Sequence, residues 1–550
     1  MRPLFLALTF LTTLHTTNLI YGNDVNLKKI LDDTLVNGKK LGEGSFGIVY
    51  SDPSDQYVIK EGKDSENMDD FISEGNKNEI LFKDIKLLDD QAFYKESIGF
   101  ITQYFGKIKK GDKTYLIFER AQGDEFRKLL EIEQYLLPAY NKAYAKLQEE
   151  GNANPTEMQI KEKIKNMSEK ELFPNTLNLA KIYKGYAIKL LNKLDTINVK
   201  AINEQSFQAR VRRNLWAQAQ LANALAVEHD AGKVHLDIKP ENTMVYIENK
   251  YSNDPVVITK VIDHGTMVDL TNPKDTKRNS SGIGTEVYMS PEEIKFDNNP
   301  YYVKDKGVAP AADVYSHAMS TLDTLFGGTA FWAEYADMKI WGQAAQKKSN
   351  QILFKALEDK DFLIKQKNEG RLQNGYSNLQ LKFLNQLFRD CLNPNPAERP
   401  SMAQVGELLQ IVISFPEEDS KVAIGNHRNF RDYQQAKRAT ELDRPKAIPM
   451  AIRNMIKSSN DKQRHKGFEV LELLIQADPS YETTPSYGLA MLEHVHYKKY
   501  YTNWAKNEKN KAAVDFLKKY TYINGNPIPQ NLPVAPIPVS EPIYKIIQEN

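Results

Sequence analysis

The glycine-rich stretch over 41–49 is the first part of the chain whose residue types and spacing suggest chemistry. It follows the pattern L-G-x-G-x-x-G-x-V, and its defining residues are Leu41, Gly42, Gly44, Ser45, Gly47 and Val49. Because glycine has no Cβ, backbone amides in such a hairpin can lie close over phosphate groups. A dinucleotide site shares these glycines, but its loop opens a helix, whereas strand-like residues stand on both sides here. The stretch therefore predicts a phosphate-binding hairpin.

A lysine and a glutamate further along the chain extend this predicted phosphate site. Lys60 ends a strand-like run, and a segment with near-helical apolar spacing follows it. A lysine that contacts phosphates must be held in place, and a carboxylate on the neighbouring helix can hold it by an ion pair. We prefer Glu79 as this carboxylate, because Ile80 and Leu81 give it the apolar flank of a packed helix. Glu74 on the same helix is the alternative, and an exposed helix charge is the interpretation left open for both.

The stretch from His235 to Asn242, with the residues H-L-D-I-K-P-E-N, is the most specific in the chain. Further patterns follow it in order, namely D-H-G at 263–265, G-T-E-V-Y-M-S-P-E at 284–292, D-V-Y-S at 313–316 and R-P-S at 399–401. With the glycine-rich hairpin and Lys60, they resemble the ordered motifs of eukaryotic-type serine/threonine protein kinases, over about 41–412. Several modest patterns in one order are far harder to reach by chance than any single one.

The resemblance implies a catalytic centre that transfers the γ-phosphate of ATP. In that family, the residue at the position of Asp237 accepts the proton of the substrate hydroxyl, and the one at Lys239 neutralises charge on the transferring phosphoryl group. The residues at Asn242 and Asp263 would bind Mg²⁺, or Mn²⁺ in its place, since these ions prefer hard oxygen ligands. Serine and threonine hydroxyls of a protein are the expected acceptors, because Lys239 and Thr285 follow the serine/threonine pattern.

The resemblance also implies where adenine and ribose would bind. Phe118 would be a bulky residue at the back of the pocket, and the stretch after it, with Glu119 and Ala121, would supply backbone hydrogen bonds to adenine. Glu125 stands where the family often places a ribose contact. Val58 replaces a small alanine, so we expect it to narrow the adenine pocket without closing it.

Besides Val58, two residues depart from the family pattern. Leu236 replaces an arginine that commonly receives an activation-loop phosphate, so we expect a segment that becomes active without phosphorylation. His264 replaces the usual phenylalanine, and we interpret it as a packing substitute; a pH-sensitive placement of Asp263 is the alternative. The resemblance further implies a buried ion pair between Glu292 and Arg399.

Periodicity indicates an α+β protein with a β-rich first part and a longer helical second part. The resemblance implies that these form the two-lobed protein-kinase fold, with a small β-rich lobe and a large helical one. The predicted units are a signal peptide over 1–22, a linker over 23–37, a kinase domain over 38–412 with an N-lobe over about 38–120 and a helical insertion over about 131–213, a helical extension over 413–525 and a proline-rich tail over 526–550. The extension and the tail are candidate docking segments for partner proteins.

The overall charge excludes recognition by a global electrostatic field. The chain has 73 basic and 72 acidic residues, a net charge of +1 at pH 7. We therefore expect no nucleic-acid partner. The apolar run of the leader is short for a span, so we also expect no stable membrane span once the signal is cleaved. Cys391 is the single cysteine, which excludes an intramolecular disulfide and favours a buried structural thiol.

Two other functions compete with a protein kinase. A pseudokinase scaffold that binds nucleotide or partner proteins would be favoured by loss of Lys60, Asp237, Asn242 or Asp263, all of which are present. A small-molecule phosphotransferase shares a similar catalytic loop but lacks the G-T…S-P-E segment. The leader predicts secretion, which suits either a secretory-pathway lumen or a bacterial protein delivered into a host cell; the composition favours the latter.

Overall fold

The computed structural model of the chain describes most of the region between residues 26 and 413, and isolated positions beyond it. The described ranges are 26–43, 47–62, 68–85, 97–174, 180–191, 207–248, 256–276, 284–293, 309–326, 352–369, 371–372 and 375–413. The predicted signal peptide lies outside them, as do Gly44 and Ser45 of the glycine-rich hairpin. Most of the predicted helical extension and of the proline-rich tail lies outside them as well.

The described elements form a strand-rich first part followed by a helix-rich second part. The strands are β1 (Lys39–Glu43), β2 (Gly47–Ser51), β3 (Tyr57–Gly62), β4 (Tyr104–Lys110), β5 (Lys113–Glu119), β6 (Asp124–Glu125), β7 (Lys233–Val234), β8 (Thr243–Glu248), β9 (Val256–Val261), β10 (Val268–Asp269), β11 (Tyr522–Ile523) and β12 (Asn526–Pro527). The helices are α1 (Leu27–Asn37), α2 (Met68–Ile85), α3 (Phe126–Glu131), α4 (Leu137–Glu149), α5 (Glu157–Asn166), α6 (Glu169–Leu172), α7 (Ala180–Leu191), α8 (Phe207–Asp230), α9 (Pro273–Thr276), α10 (Ala311–Phe326), α11 (Phe362–Asn368), α12 (Asn378–Cys391) and α13 (Met402–Ile413).

The five-stranded antiparallel sheet directs Lys60 toward α2. Its strand order is β1-β2-β3-β5-β4, and Lys60 stands opposite Leu116 in the register of β3 with β5. Successive side chains of a strand point to opposite faces. Ile59 and Ile117 accordingly pack with Leu31 of α1 on one face, whereas Leu116 packs with the α2 residues on the other. Lys60 shares that second face. Helix α1 itself falls within the range predicted as a linker.

The helical part is organised around α8 and α10. Helix α8 packs on α13 and on β9. Every residue of α10 is buried, so α10 lies at the centre of the helical part. Helix α8 ends at Asp230, and Gly232 just beyond it takes a φ of +74°, which favours glycine. The predicted α+β organisation, with a strand-rich lobe before a helical one, is therefore observed in the described residues.

The charged stretch predicted as an insertion, over about 131–213, has an apolar core of its own. Tyr135 stacks on Tyr186 and packs edge-on against Tyr183, with ring centroids 4.9 Å apart in both pairs. Further apolar residues of α4, α5 and α7 complete this cluster. At its base, the buried Arg213 of α8 pairs with Glu133. The Lys- and Glu-rich pattern thus describes the solvated side of a packed helical unit.

The ion pair implied by the sequence is present, with the Arg399 side chain fully buried and the Glu292 side chain 21% exposed. Arg399 Nη1 and Nη2 lie 2.5 and 2.8 Å from the two carboxylate oxygens of Glu292, and Nη1 also donates to the carbonyl of Ala311. Cys391 is 1% exposed, as expected for a structural thiol. Within the described part of the chain, no helix is both long enough and apolar enough to cross a bilayer.

Glu293 makes the stability of this region depend on pH. Burial raises the pKa of its carboxyl to about 8, against the opposing hydrogen bonds from Ser290. A carboxyl with a raised folded-state pKa contributes most below its ordinary pKa of 4.5, and that contribution is lost as the pH rises to about 8. A neutral amide does not suffer this loss. We therefore expect Glu293→Gln to melt about 5 °C above the wild type at pH 9.

Thermal melting between pH 5 and pH 9 checks this expectation. The difference between Glu293→Gln and the wild type should shrink toward pH 5, where the native carboxyl is largely protonated. Glu286→Gln is the control, since Glu286 is exposed in the same segment. A variant that tracks the wild type at every pH would show that Glu293 is not buried as a neutral acid.

Candidate active site

Three side chains surround the Asp237 carboxylate: Lys239 and Asn242 from the loop after β7, and Thr285 from the later segment over 284–293. Lys239 Nζ lies 2.8 Å from Asp237 Oδ2, and Asn242 Nδ2 lies 2.8 Å from the same oxygen. Thr285 donates from its hydroxyl to Asp237 Oδ1 at 2.8 Å and accepts from Lys239 Nζ at 2.7 Å. Both oxygens of Asp237 are therefore fixed in direction, as a base aimed at one substrate atom must be.

Asp313 of α10 holds the backbone of this loop. Its carboxylate accepts the N–H groups of His235 and Leu236 at 2.7 and 2.8 Å, and it lies 3.0 Å from His229 Nε2. Leu236 has a φ of +66°, a conformation that costs a leucine energy and persists only where its surroundings enforce it. Burial would raise the pKa of Asp313, but His229, His235 and these amides hold it below its ordinary value. A buried anion thus fixes the strained turn before Asp237.

Gly284 lets the following segment approach the loop. It has a φ of +90°, and a Cβ there would lie 2.3 Å from the carbonyl oxygen of Leu236 and 3.6 Å from Asp237 Oδ1. Any larger residue would push Thr285 away from Asp237. Glycine at position 284 therefore has a steric reason to stand beside Asp237.

Asp263 and Asn242 are brought together by the backbone. The N–H of Ile262 donates to the carbonyl of Asn242 at 3.0 Å, so the residue before Asp263 is bonded to Asn242 itself. Burial would raise the pKa of Asp263, but Lys60, His235 and the N–H of Gly265 outweigh it and hold the pKa below its ordinary value. Asp263 is therefore an anion at neutral pH.

The donor set at this point suits a hard divalent cation. An ionised carboxylate and an amide side chain offer oxygen ligands, and Mg²⁺ is commonly bound by one or two protein oxygens together with phosphates and water. Among the described residues, no cluster of three or more His, Cys, Asp or Glu side chains forms an all-protein metal cage. Asn242 and Asp263 thus fit an ion that a phosphate ligand completes.

His264 is buried, as predicted, but it also makes a polar contact that the sequence does not indicate. Its Nε2 lies 2.9 Å from Oε1 of Glu228 in α8, and its ring centroid lies 5.0 Å from that of His235. Burial would lower the pKa of His264, but Glu228 raises it above its ordinary value. The turn after Asp263 is therefore tied to α8 by a charged contact as well as by packing.

The structure corrects the predicted partner of Lys60. Lys60 Nζ lies 2.6 Å from Glu74 Oε2, and the Glu74 side chain is only 5% exposed. Glu79 is exposed, and its neighbour Ile80 is 40% exposed. Five residues along a helix rotate Glu79 by about 140° from Glu74, onto the other side of α2. Of the two residues inferred to flank Glu79, Ile80 is exposed with it, and only Leu81 faces the core.

Helical spacing could have identified the correct glutamate. The buried residues of α2 follow one face of the helix, and they are Phe71, Glu74, Asn78, Leu81 and Ile85. Steps of three and four residues join all of these positions. Glu74 fits the series and Glu79 does not, so the apolar neighbours along the sequence were a weaker signal than the phase of the helix.

Glu74→Gln and Glu79→Gln should therefore differ in their effect on turnover. The first removes the charge that holds Lys60, and small displacements of a catalytic group can cost about 100-fold. We expect kcat to fall about ten- to hundredfold in Glu74→Gln and less than about twofold in Glu79→Gln. Steady-state phosphotransfer measurements check this, and equal losses in both variants would contradict the ion pair seen here.

The described part of the glycine-rich hairpin supports a close approach of backbone strands. A Cβ on Gly47 would lie 2.4 Å from the carbonyl oxygen of Glu61, whereas a Cβ on Gly42 would meet nothing within 4 Å. Val49 stands opposite Lys60 in the register of β2 with β3. Leu41 is 39% exposed. The space around Gly42 is therefore open, whereas Gly47 lies too close to β3 for a side chain.

The residues predicted to contact adenine and ribose lie on the paired strands β3 and β5 and on the segment after β5. Val58 stands opposite Phe118 in the register of β3 with β5. The N–H of Glu119 donates to the carbonyl of Gln103 at 2.8 Å, and its carboxylate pairs with Lys260. Ala121 is buried, while Glu125 is exposed at the start of α3. These nucleotide contacts stay predictions.

Comparison with known proteins gives one family and several partial relatives. Residues 143–409 match the family described as "Protein kinase domain". The serine/threonine-protein kinase AfsK of Streptomyces coelicolor is 35% identical over 18% of this chain and 10% of its own length. A putative mitogen-activated protein kinase kinase kinase 7-like protein of Drosophila melanogaster is 28% identical over 35% and 40%. The serine/threonine-protein kinase PknL of Mycobacterium tuberculosis is 34% identical over 20% and 24%. The chain thus spans between a tenth and two fifths of the length of these relatives.

Proposed function

The chain contains a protein kinase domain of the eukaryotic type, and from its site geometry we propose that it is an active enzyme that transfers the γ-phosphate of ATP to serine or threonine hydroxyls of a protein. One observation carries the proposal. The Asp237 carboxylate is held by Lys239, Asn242 and Thr285, and Asn242 is bonded to the residue before Asp263. A scaffold that only binds nucleotide has no need of a base fixed in this way.

The geometry supports an in-line transfer. The substrate oxygen forms a bond to the γ-phosphorus, and the bond between that phosphorus and the β–γ bridging oxygen breaks, so ADP leaves with the electron pair. The hydroxyl proton passes to Asp237. Lys239 lies where it can offset charge on the moving phosphoryl group, and Lys60, held by Glu74, can anchor the phosphates that stay behind.

A divalent cation would be held by Asn242 and Asp263. When bound, such an ion neutralises charge on the phosphate oxygens and orients them for transfer. The contribution of the chain is to keep Asp263 ionised, which Lys60 and the N–H of Gly265 do, and to fix Asn242 through the hydrogen bond that its side-chain amide donates to Asp237.

The choice of serine and threonine over tyrosine rests on Lys239 and Thr285, which occupy the positions expected for the serine/threonine branch and contact each other at 2.7 Å. The partial relatives named as serine/threonine kinases support the same choice.

Transfer of labelled phosphate from ATP in the presence of Mg²⁺ tests the proposal. The full chain is incubated with a generic basic protein, and the products are hydrolysed and separated into phosphoserine, phosphothreonine and phosphotyrosine. Label on serine or threonine is expected. Label on tyrosine would overturn the specificity, and nucleotide binding without any transfer would favour the pseudokinase scaffold.

Activity without activation-loop phosphorylation is a further part of the proposal. Leu236 is 2% exposed and apolar, so it offers no charge to a loop phosphate. Phosphatase-treated protein should keep its activity. Loss of activity after this treatment, together with a phosphosite at Thr276, Ser280 or Ser281, would remove this part while leaving the kinase assignment intact.

Secretion is proposed from the leader pattern of the sequence alone, with delivery into a host cell as the destination that its composition favours. Sequencing the N-terminus of secreted protein tests the leader. A mature chain that begins near residue 23 is expected, and an intact Met1 on exported protein would contradict cleavage.

A further inference from the structure

Lys233 is a fully buried lysine that the catalytic scheme does not use. Its side chain is 0% exposed, and its Nζ lies 2.5 Å from Asp84 Oδ2 and 2.8 Å from Asp269 Oδ1. Taking an ammonium group out of water costs several kcal/mol unless carboxylates or other acceptors replace the water. Lys233 therefore stabilises the conformation in which both carboxylates contact its ammonium group.

One of the two carboxylates is fixed within the helical part. Asp269 stands directly opposite Lys233 in the antiparallel pair of β10 with β7. Asp269 Oδ1 also accepts the N–H and the hydroxyl of Thr271, at 2.8 and 2.6 Å, and the N–H of Asp269 donates to Asp275. Lys233 and Asp269 thus form a rigid pair two residues before the catalytic loop.

The other carboxylate comes from a different element. Asp84 lies in the last turn of α2, the helix that carries Glu74. Lys77, between them in sequence, donates from Nζ to the carbonyl of Gly265 at 2.6 Å. Steps of three and seven residues keep these positions on one side of the helix. Helix α2 is therefore bonded to Lys60, to the turn after Asp263 and to Lys233 by one face.

The charges favour this placement of α2 over a withdrawn one. With α2 in place, Lys233 lies between two carboxylates, whose side chains are 21% and 16% exposed. If α2 moved outward, Asp84 would regain water at little cost, but Lys233 would lose one of the two carboxylates that replace its water. Breaking a buried charge pair is unfavourable for the partner left behind.

We propose that Lys233 is a positioning residue. With Asp269 it binds Asp84 of α2 and thereby holds α2 against the catalytic loop. This contact keeps Glu74 at Lys60 without a loop phosphate. This inference rests on the proposed kinase function and names the means by which that site is kept assembled. Lys233 acts through Glu74 and touches no reacting group.

The test compares Asp84→Asn with Asp84→Glu in the full, phosphatase-treated chain. The first removes the charge, and the second keeps a carboxylate within reach of Lys233. Asp32→Asn is the matched control, because Asp32 also pairs with a lysine, Lys110 at 2.7 Å, but on the surface of the same lobe. The readouts are kcat and KM for ATP, thermal melting, and hydrogen exchange of the α2 amides over 68–85.

We expect Asp84→Asn to lower kcat on the order of tenfold, as typical coupling energies between sites allow, with a change in KM for ATP below about threefold. Its α2 amides should exchange faster than those of Asp32→Asn. Asp84→Glu should restore most of the turnover. A merely structural role would lower the melting temperature without changing kcat per folded molecule.

The outcomes separate this inference from the proposed function. If the wild type transfers phosphate and Asp84→Asn does so equally well, the inference is overturned and the kinase assignment stands. If neither the wild type nor any variant transfers phosphate, the kinase proposal fails. Hydrogen exchange of the α2 amides still tests whether Lys233 holds α2 through Asp84, because unchanged protection in Asp84→Asn would overturn that role.

Discussion

Asp237→Asn is expected to lower the rate of phosphoryl transfer by about 10²–10⁴-fold while leaving the fold in place. An amide cannot accept the substrate proton, so the loss falls on the chemical step. The site can still accommodate the amide, because its oxygen can face Lys239 and Asn242, which both donate, and its NH₂ group can face Thr285. The threonine hydroxyl can turn from donor to acceptor.

Single-turnover transfer and thermal melting together check this result. Melting within about 2 °C of the wild type is expected, since the one donor that loses its acceptor at Asp237, the Thr285 hydroxyl, is partly exposed. Asp359→Asn is the control, because Asp359 also accepts from a lysine, Lys365 at 2.5 Å, at an exposed site. Transfer by Asp237→Asn at more than a tenth of the wild-type rate would show that Asp237 is not the base.

Asp313→Ala is expected to be the most destabilising single substitution in the site. It removes the acceptor of the buried N–H groups of His235 and Leu236. A buried donor left without an acceptor costs about 1–3 kcal/mol of stability. The left-handed turn at Leu236 also loses the contact that enforces it. We expect a loss of about 3–5 kcal/mol in the free energy of unfolding.

Activity should fall with stability in this variant, because the same turn aims Asp237. Asp313→Asn keeps one acceptor oxygen and should lie between Ala and the wild type in both measurements. Denaturant unfolding gives the free energy, and transfer assays well below the melting temperature give the rate per folded molecule. Asp361→Ala, at an exposed helix start, is the control. Equal stability of Asp313→Ala and this control would contradict the buried role of Asp313.

The catalytic loop could be predicted from the sequence because its residues are contiguous. Asp237, Lys239 and Asn242 lie within one short turn, so local spacing already places them near each other. The order of the motifs also led correctly to the Glu292–Arg399 pair and to Asp263 as a neighbour of Asn242. These contacts follow once a chain path is assumed.

Contacts set by rotation or by distant elements could not be predicted in the same way. The choice between Glu74 and Glu79 depends on which side of α2 faces the sheet, and the residues beside Glu79 gave the wrong side. Glu228 and Asp84 carry no local sign that they face His264 and Lys233, because their partners lie far along the chain. Only the packed structure brings them together.

The tyrosine-rich core of the insertion bears on how the protein folds during synthesis. Its helices come from one continuous stretch of chain, so its contacts are short in sequence and quick to form. The Arg213–Glu133 pair at its base needs the next helix, α8, to have emerged. The insertion can therefore fold on the ribosome before the catalytic loop is made, and it can then serve as a formed surface for α8.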